Sequence, residues 1–349
     1  NIGVFLPFKL DKFDAEVLKC PTVGDCKPYM PTIRAVEFYQ GVEMAIDSMK
    51  AAGLSLTVNV YDTKGDTSTM RALLAKSEVM ELDMIFGPLT AGAQKMTADF
   101  ARDNQIQFIT PVNSSNKLLF KNPFVTKTVA SIPTQVKAMA RYVADSFGTS
   151  NVILFDDKAK DHNYFAKIFR KEFEAVTQGM QTWRDTLATI SKGYKLKNLY
   201  SYLNKEGLNV LIVPSRNIGY VSSFLTDLNK VYNDHGMRKI SFIVFGLEEW
   251  MKFEQLDYQY INTFNVHITA TKYLDFESEK MLKFIKKFRT KHSNDPGVYS
   301  YMGFDVMMQH LAGMLHYGSG FASRLNYIQL DHLHTRFNYA PAGEGSGYE

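Results

Sequence analysis

Four polar clusters stand where short apolar runs end, and they are where the residue types could do chemistry. Gly87-Pro88-Leu89-Thr90 follows the run 84–86, and Pro111-Val112-Asn113-Ser114-Ser115-Asn116 follows 107–110. In the second half, Pro214-Ser215-Arg216-Asn217 follows 208–213 and Gly246-Leu247-Glu248-Glu249-Trp250 follows 240–245. Hydroxyls and amides near helix starts suit hydrogen-bonded capture of a small polar molecule. The patterns of common enzymes are missing: there is no phosphate loop, no Gly-x-Ser-x-Gly elbow, no His-Glu-x-x-His helix and no Gly-x-Gly-x-x-Gly fingerprint. Asp331-His332-Leu333-His334 has metal-like spacing, with His310 and His316 on the preceding helical stretch. Zinc needs three or four converging ligands, so solvated or capping histidines are the expectation and neither metal nor cofactor is implied. Cys20 and Cys26 are the only two cysteines. Their short Pro- and Gly-containing loop suits a local disulfide in an oxidising compartment, with two free thiols as the alternative.

The elements that must position these clusters alternate between β-branched runs and amphipathic stretches, the pattern of repeated βα units and a parallel sheet. Strands are predicted at 2–6, 56–61, 84–86 and 107–110, then at 151–155, 208–213 and 240–245. Helices are predicted at 34–52, 67–80, 91–103, 134–147, 163–175 and 217–233. Val42, Ala45, Ile46 and Met49 form the stripe that a sheet-covering helix needs. Open parallel sheets bind ligands at the carboxyl ends of their strands, so the four clusters are the expected site, as two facing polar rims.

Composition bounds the rest. A chain of 349 residues with 45% hydrophobic residues is long enough for two cores, and two lobes are expected. Forty Lys and Arg against 36 Asp and Glu are spread without a long basic run, which argues against a nucleic-acid binder. No apolar stretch approaches the length of a bilayer span, so a signal or lipid anchor would have to lie upstream. Residues 340–349 are rich in Gly and read as a loop or tail. Most of the 25 Phe and 19 Tyr belong to cores, whereas Trp183 and Trp250 are less easily assigned; Trp250 suits stacking on a ligand as well as packing.

A distributed set of fragments resembles the type I periplasmic binding proteins, in particular the leucine/isoleucine/valine-binding branch. These are the opening strand, Gly41-Val42-Glu43-Met44-Ala45-Ile46-Asp47, Val60-Tyr61-Asp62-Thr63, Ile85-Phe86-Gly87-Pro88, Phe108-Ile109-Thr110-Pro111 and Tyr301-Met302-Gly303-Phe304-Asp305-Val306. Glu37-Phe38-Tyr39-Gln40-Gly41 also looks like envelope proteins in which such a domain accompanies a LysM module. The resemblance implies an α/β fold of two Rossmann-like lobes, residues 1–130 with 270–324 and 131–269 with 325–349. Three hinge crossings join them, near 129–133, 267–272 and 323–326, and a hinge motion closes the cleft.

It implies further that the ligand carboxylate is met by Thr90, Ala91 and Gly92 and by Asn113, Ser114 and Ser115, and an ammonium by Glu248, with Glu249 as the alternative. The second-lobe loops, which usually add aromatic rings, carry Asp161-His162-Asn163 and Ser215-Arg216-Asn217 here, pointing to a more polar ligand than a branched-chain amino acid or to a cleft that has lost its ligand. Structural roles compete for the same residues. Ser114 and Ser115 suit helix capping, as do Glu248 and Asp161, and Arg216 suits a surface or interlobe salt bridge. The expected function is a non-catalytic, periplasmic or otherwise extracytoplasmic solute-binding protein, carrying an amino acid or related zwitterion to an ABC transporter permease or a sensor. The alternative is an envelope interaction module, with a protein or peptidoglycan partner and a vestigial cleft.

Overall fold

The computed structural model describes residues 1–12, 29–156, 160–182, 187–191, 196–233 and 240–349. Cys20, Cys26 and Trp183 lie outside the described residues. The chain forms two compact units, Asn1–Ser131 with Lys272–Glu349, and Ile132–Thr271.

The first unit is built on a five-stranded parallel sheet in the order β2-β1-β3-β4-β5. Its strands are β1 (Ile2–Leu6), β2 (Val58–Asp62), β3 (Met84–Phe86), β4 (Gln107–Thr110) and β5 (Val125–Lys127). Alternation along β1 explains why both faces are covered. Ile2, Val4 and Leu6 pack with residues of α1 (Met30–Ala51) and α10 (Val298–Tyr317), among them Phe38, Val42, Val306 and Leu311. Phe5 points the other way and joins Met70 of α2 (Thr67–Leu74) and Ala93 and Ala98 of α4 (Ala91–Asn104). Helices α1 and α10 cross with almost no side chain between them. A Cβ on Gly41 would lie 1.9 Å from the Ser300 carbonyl oxygen, and one on Gly303 would lie 2.2 Å from that of Phe38. Two glycines of the family-like fragments are thus fixed by a backbone-to-backbone crossing.

The second unit repeats the plan with the parallel order β10-β9-β8-β6-β7. Its strands are β6 (Asn151–Asp156), β7 (Ala188–Ser191), β8 (Leu208–Ile212), β9 (Ser241–Gly246) and β10 (Val266–Ile268). Helices α5 (Ile132–Phe147), α6 (Lys160–Val176) and α7 (Ile218–Asn233) contribute Val136, Phe169 and Leu228 to one core with Ile153, Leu211 and Val244. The predicted helix 67–80 is two helices, α2 and α3 (Ser77–Met80), because Ala75 and Lys76 close the first with backbone bonds to Arg71 and Leu73. The remaining helices are α8 (Tyr258–Thr263) in the second unit and α9 (Glu279–His292) in the first.

One expectation is corrected. The chain passes between the units at 131/132 and 271/272, not a third time at 323–326, and residues 325–349 belong to the first unit. Gln309 on α10 donates to the carbonyls of Leu325 at 2.9 Å and Ile328 at 3.3 Å. Farther on, Tyr348 bonds through its backbone to Val125 and Lys127 of β5. Both sets of bonds hold the late segment to the first sheet, so 340–349 is a docked arm rather than a free tail.

Candidate functional site

On the first unit, β3 and β4 are in register, and the Gly87 amide continues the ladder to the Ile109 carbonyl at 3.1 Å. The loops leaving these two strands therefore start side by side. Gly87 turns the chain with φ +78°, a value that glycine tolerates, and a Cβ there would lie 2.1 Å from the Phe5 carbonyl oxygen. The turn delivers Thr90 as the residue before α4. Its side chain makes no capping bond, and α4 has no acidic residue in its first turn. Ala91 and Gly92 are exposed. The first amides of a helix have no acceptor within it and carry partial positive charge. This end of α4 is therefore open to an anion.

The loop after β4 is divided. Ser115 accepts from the Lys117 amide at 3.3 Å and caps the short 3-10 turn Asn116–Leu118, which is the structural alternative for that residue. Asn113 is exposed. Ser114 Oγ and Thr110 Oγ1 are buried hydroxyls with no hydrogen-bond partner. Leaving such a group unmade costs about 1–3 kcal/mol, which a ligand oxygen would recover. Thr110 has no distinguishing sequence signal, because its β4 neighbours are apolar and a buried threonine is ordinary there.

The second-unit candidates are mostly engaged within their own unit. Ser215 is buried; its Oγ accepts from the Asn217 amide at 3.1 Å, and its carbonyl accepts from Trp250 Nε1 at 2.8 Å. Asn217 caps α7, its Oδ1 accepting from the Tyr220 amide at 3.0 Å. Arg216 Nε lies 3.3 Å from Glu249 Oε1, an ion pair within the second unit. Trp250 is 2% exposed and belongs to the core, so it offers no face for stacking. Glu248 is half-buried and accepts from the Thr271 hydroxyl at 2.9 and 3.0 Å. Asp161 falls in the first turn of α6, and its side chain lies outside the described residues. Tyr220 went unnoticed in the sequence. Burial, together with the Asp156 carboxylate that ends β6, pushes its phenol up to about 12.

The late histidines serve the fold. Asp305 is fully buried on α10 and accepts from the amides of Leu333 and His334, both at 2.8 Å, and Thr335 at 3.2 Å, and from His334 Nδ1 at 3.0 Å. Burial alone would raise its carboxyl, but His332, His334 and the Leu333 amide hold it down at about 2. His332 Nε2 meets Gln309 Oε1 at 2.8 Å. His310 is buried, which lowers its imidazole to about 4 against the opposing bond to the Val306 carbonyl. Among the described residues no group of three or more His, Cys, Asp or Glu is placed to hold a metal ion.

A further polar group was not anticipated. Asn116, Lys127 and Ser131 surround the carboxylate of Glu349 at the end of β5. Nothing local announces it, since Lys127 and Glu349 are 222 residues apart.

Residues 35–180 match the family model described as periplasmic binding protein. No curated protein sequence matches the chain. Among solved structures, a Rhodospirillum rubrum protein assigned to branched-chain amino acid ABC transport has a TM-score of 0.60 at 13% identity, covering 93% of this chain and 88% of its own. An ABC transporter substrate-binding protein from Desulfitobacterium hafniense, in complex with Leu, has a TM-score of 0.53 at 14% identity, covering 99% and 93%. The C-domain of LpoA from Haemophilus influenzae, a regulator of PBP1A, has a TM-score of 0.58 at 11% identity, covering 100% and 94%. Among the described residues no helix is long and apolar enough to cross a membrane.

Proposed function

We propose, for a chain that has the type I periplasmic-binding-protein fold and matches the family model over residues 35–180, that it is an extracytoplasmic solute-binding protein. Its ligand in this reading is a small carboxylate-bearing molecule, an amino acid or related zwitterion, held for an ABC transporter or a sensor and released unchanged. One observation carries the reading: the uncapped, acid-free start of α4 follows β3, and the neighbouring strand β4 ends on Thr110, whose hydroxyl is buried and unpartnered, as is that of Ser114 in the loop after it. Helix starts attract anions through their free amides and dipole. A carboxylate there, accepting from Thr110 or Ser114 as well, satisfies groups that the protein alone leaves unsatisfied. Thr90, Ala91, Gly92, Asn113 and Ser114 are the proposed contacts on the first unit. Considered by itself, the second unit offers Glu248 as a proposed contact for a cationic group, because it is half-buried and accepts from the Thr271 hydroxyl.

A thermal-shift screen against amino acids, short peptides, nucleosides and cell-wall fragments tests this, since a ligand specific to the folded state raises Tm. A saturable shift confined to carboxylate-bearing compounds supports it. A second reading, an envelope interaction module, is favoured by the internal pairing of Ser215, Arg216 and Asn217. The fold also serves the LpoA C-domain, a regulator of PBP1A, and fold alone does not choose between binding a solute and binding a partner. A flat response from well-folded protein selects that second reading.

A further inference from the structure

Lys127 ends the edge strand β5 with a side chain that is 0% exposed. Burial pushes its ammonium pKa down, and Glu349 works against that shift. A buried cation needs an anion and hydrogen-bond acceptors; here the Glu349 carboxylate is the anion and Asn116 Oδ1 a second acceptor. Glu349 Oε1 accepts from Lys127 Nζ at 2.8 Å and from the Ser131 amide at 2.5 Å. Its Oε2 accepts from Asn116 Nδ2 at 3.1 Å and from Ser131 Oγ at 3.3 Å. Asn116 is oriented for this, because its Oδ1 accepts from the same ammonium.

Donors to both oxygens thus converge on a planar monoanion. The donors all come from residues 116–131, whereas the carboxylate comes from a distant arm. That arm docks through its own backbone. The Lys127 amide donates to the Tyr348 carbonyl at 2.8 Å, the Tyr348 amide to Val125 at 2.9 Å and the Gly347 amide to Leu119 at 2.9 Å. Receptor and occupant are therefore held by separate sets of bonds.

We infer that Asn116, Lys127 and Ser131 form a carboxylate-binding site that Glu349 fills in cis, and that a small free monocarboxylate occupies it when the Glu349 side chain is removed. Two oxygens and one negative charge fit the donor set. A neutral amide in the same place would turn an NH2 toward donors. The site uses neither α4 nor the second unit, so it stands apart from the solute-binding reading. Glu349 acts in it as a built-in competitor, so that docking of the arm's carboxylate and binding of a free one exclude each other.

The test is chemical rescue in the full chain. Glu349→Ala is titrated with sodium acetate, with sodium chloride at equal ionic strength as the control, and Tm is followed by circular dichroism. The variant is expected to melt below the unsubstituted protein. Acetate should raise its Tm along a saturating curve, while shifting the unsubstituted protein and Glu349→Ala/Lys127→Met no more than chloride does. Acetate acting no better than chloride on Glu349→Ala, or equally on the double variant, overturns the inference. Should Glu349→Ala not fold in buffer, the readout becomes recovery of the native far-UV spectrum. Recovery with acetate and not chloride supports the site, and no difference between the salts rejects it. Rescue here with a flat library screen would sink the solute-binding reading alone, and the converse result would sink this one alone.

Discussion

Replacing Asp305 by Asn is expected to cost the first unit about 2–3 kcal/mol at neutral pH. The carboxylate is fully buried and accepts three backbone amides and an imidazole. Its pKa is lowered from 3.8 to about 2. At about 1.36 kcal/mol for each tenfold change in proton affinity, that lowering corresponds to about 2–3 kcal/mol. Asparagine keeps one acceptor but turns an NH2 toward those donors, which agrees in sign and size with an unmade buried hydrogen bond. Because the folded pKa lies below the unfolded one, the stabilisation is complete above the unfolded value and is lost as pH falls through the folded one. By the same linkage roughly half of it is left at pH 3. Urea unfolding at pH 7 and pH 3 reads the effect. The two tryptophans, Trp183 and Trp250, fall within 132–271, so their fluorescence follows the second unit while circular dichroism follows both. The variant should shift the circular-dichroism transition and leave the fluorescence transition in place. Equal stability of the two proteins at pH 7, or the same gap at both pH values, would refute the linkage argument.

Neighbouring substitutions in the second unit should separate packing from binding. Trp250→Ala removes a 2%-exposed ring and its bond to the Ser215 carbonyl, and should lower stability by about 3–5 kcal/mol in urea titrations followed by circular dichroism. Glu248→Ala gives up bonds to one hydroxyl, so it should cost about 1 kcal/mol of stability while weakening ligand binding by more than that in a calorimetric titration. Arg216→Ala breaks a partly exposed ion pair and should change stability by no more than about 1 kcal/mol, the effect shrinking in high salt.

The elements with long patterns were legible in the sequence. Strands 2–6, 84–86 and 107–110 fall where predicted, because buried parallel strands read as continuous apolar runs between turn residues. The strands that escaped, β5, β7 and β10, are all sheet edges of three or four residues. Val125-Thr126-Lys127 and Val266-His267-Ile268 are too short and too polar for periodicity to show. That the polar clusters follow strand ends was legible, since it follows from topology. The partners of individual side chains were not. Ser115 and Asn217 took the capping roles that their residue types allow, and Trp250 turned inward to a carbonyl. Asp305 meets residues 28 to 30 positions away, and Lys127 meets one 222 away, distances at which no local pattern speaks.

The most direct test of the solute-binding account is a calorimetric comparison of an amino acid that raises Tm in the screen with its decarboxylated amine. If the start of α4 and the hydroxyls beside it receive a carboxylate, the acid should bind at one site and the amine roughly ten- to a hundredfold more weakly, as befits the loss of charge-assisted hydrogen bonds. Ser114→Ala should move the acid toward the amine. Equal affinity for acid and amine, or no binding of either by folded protein, would contradict the account.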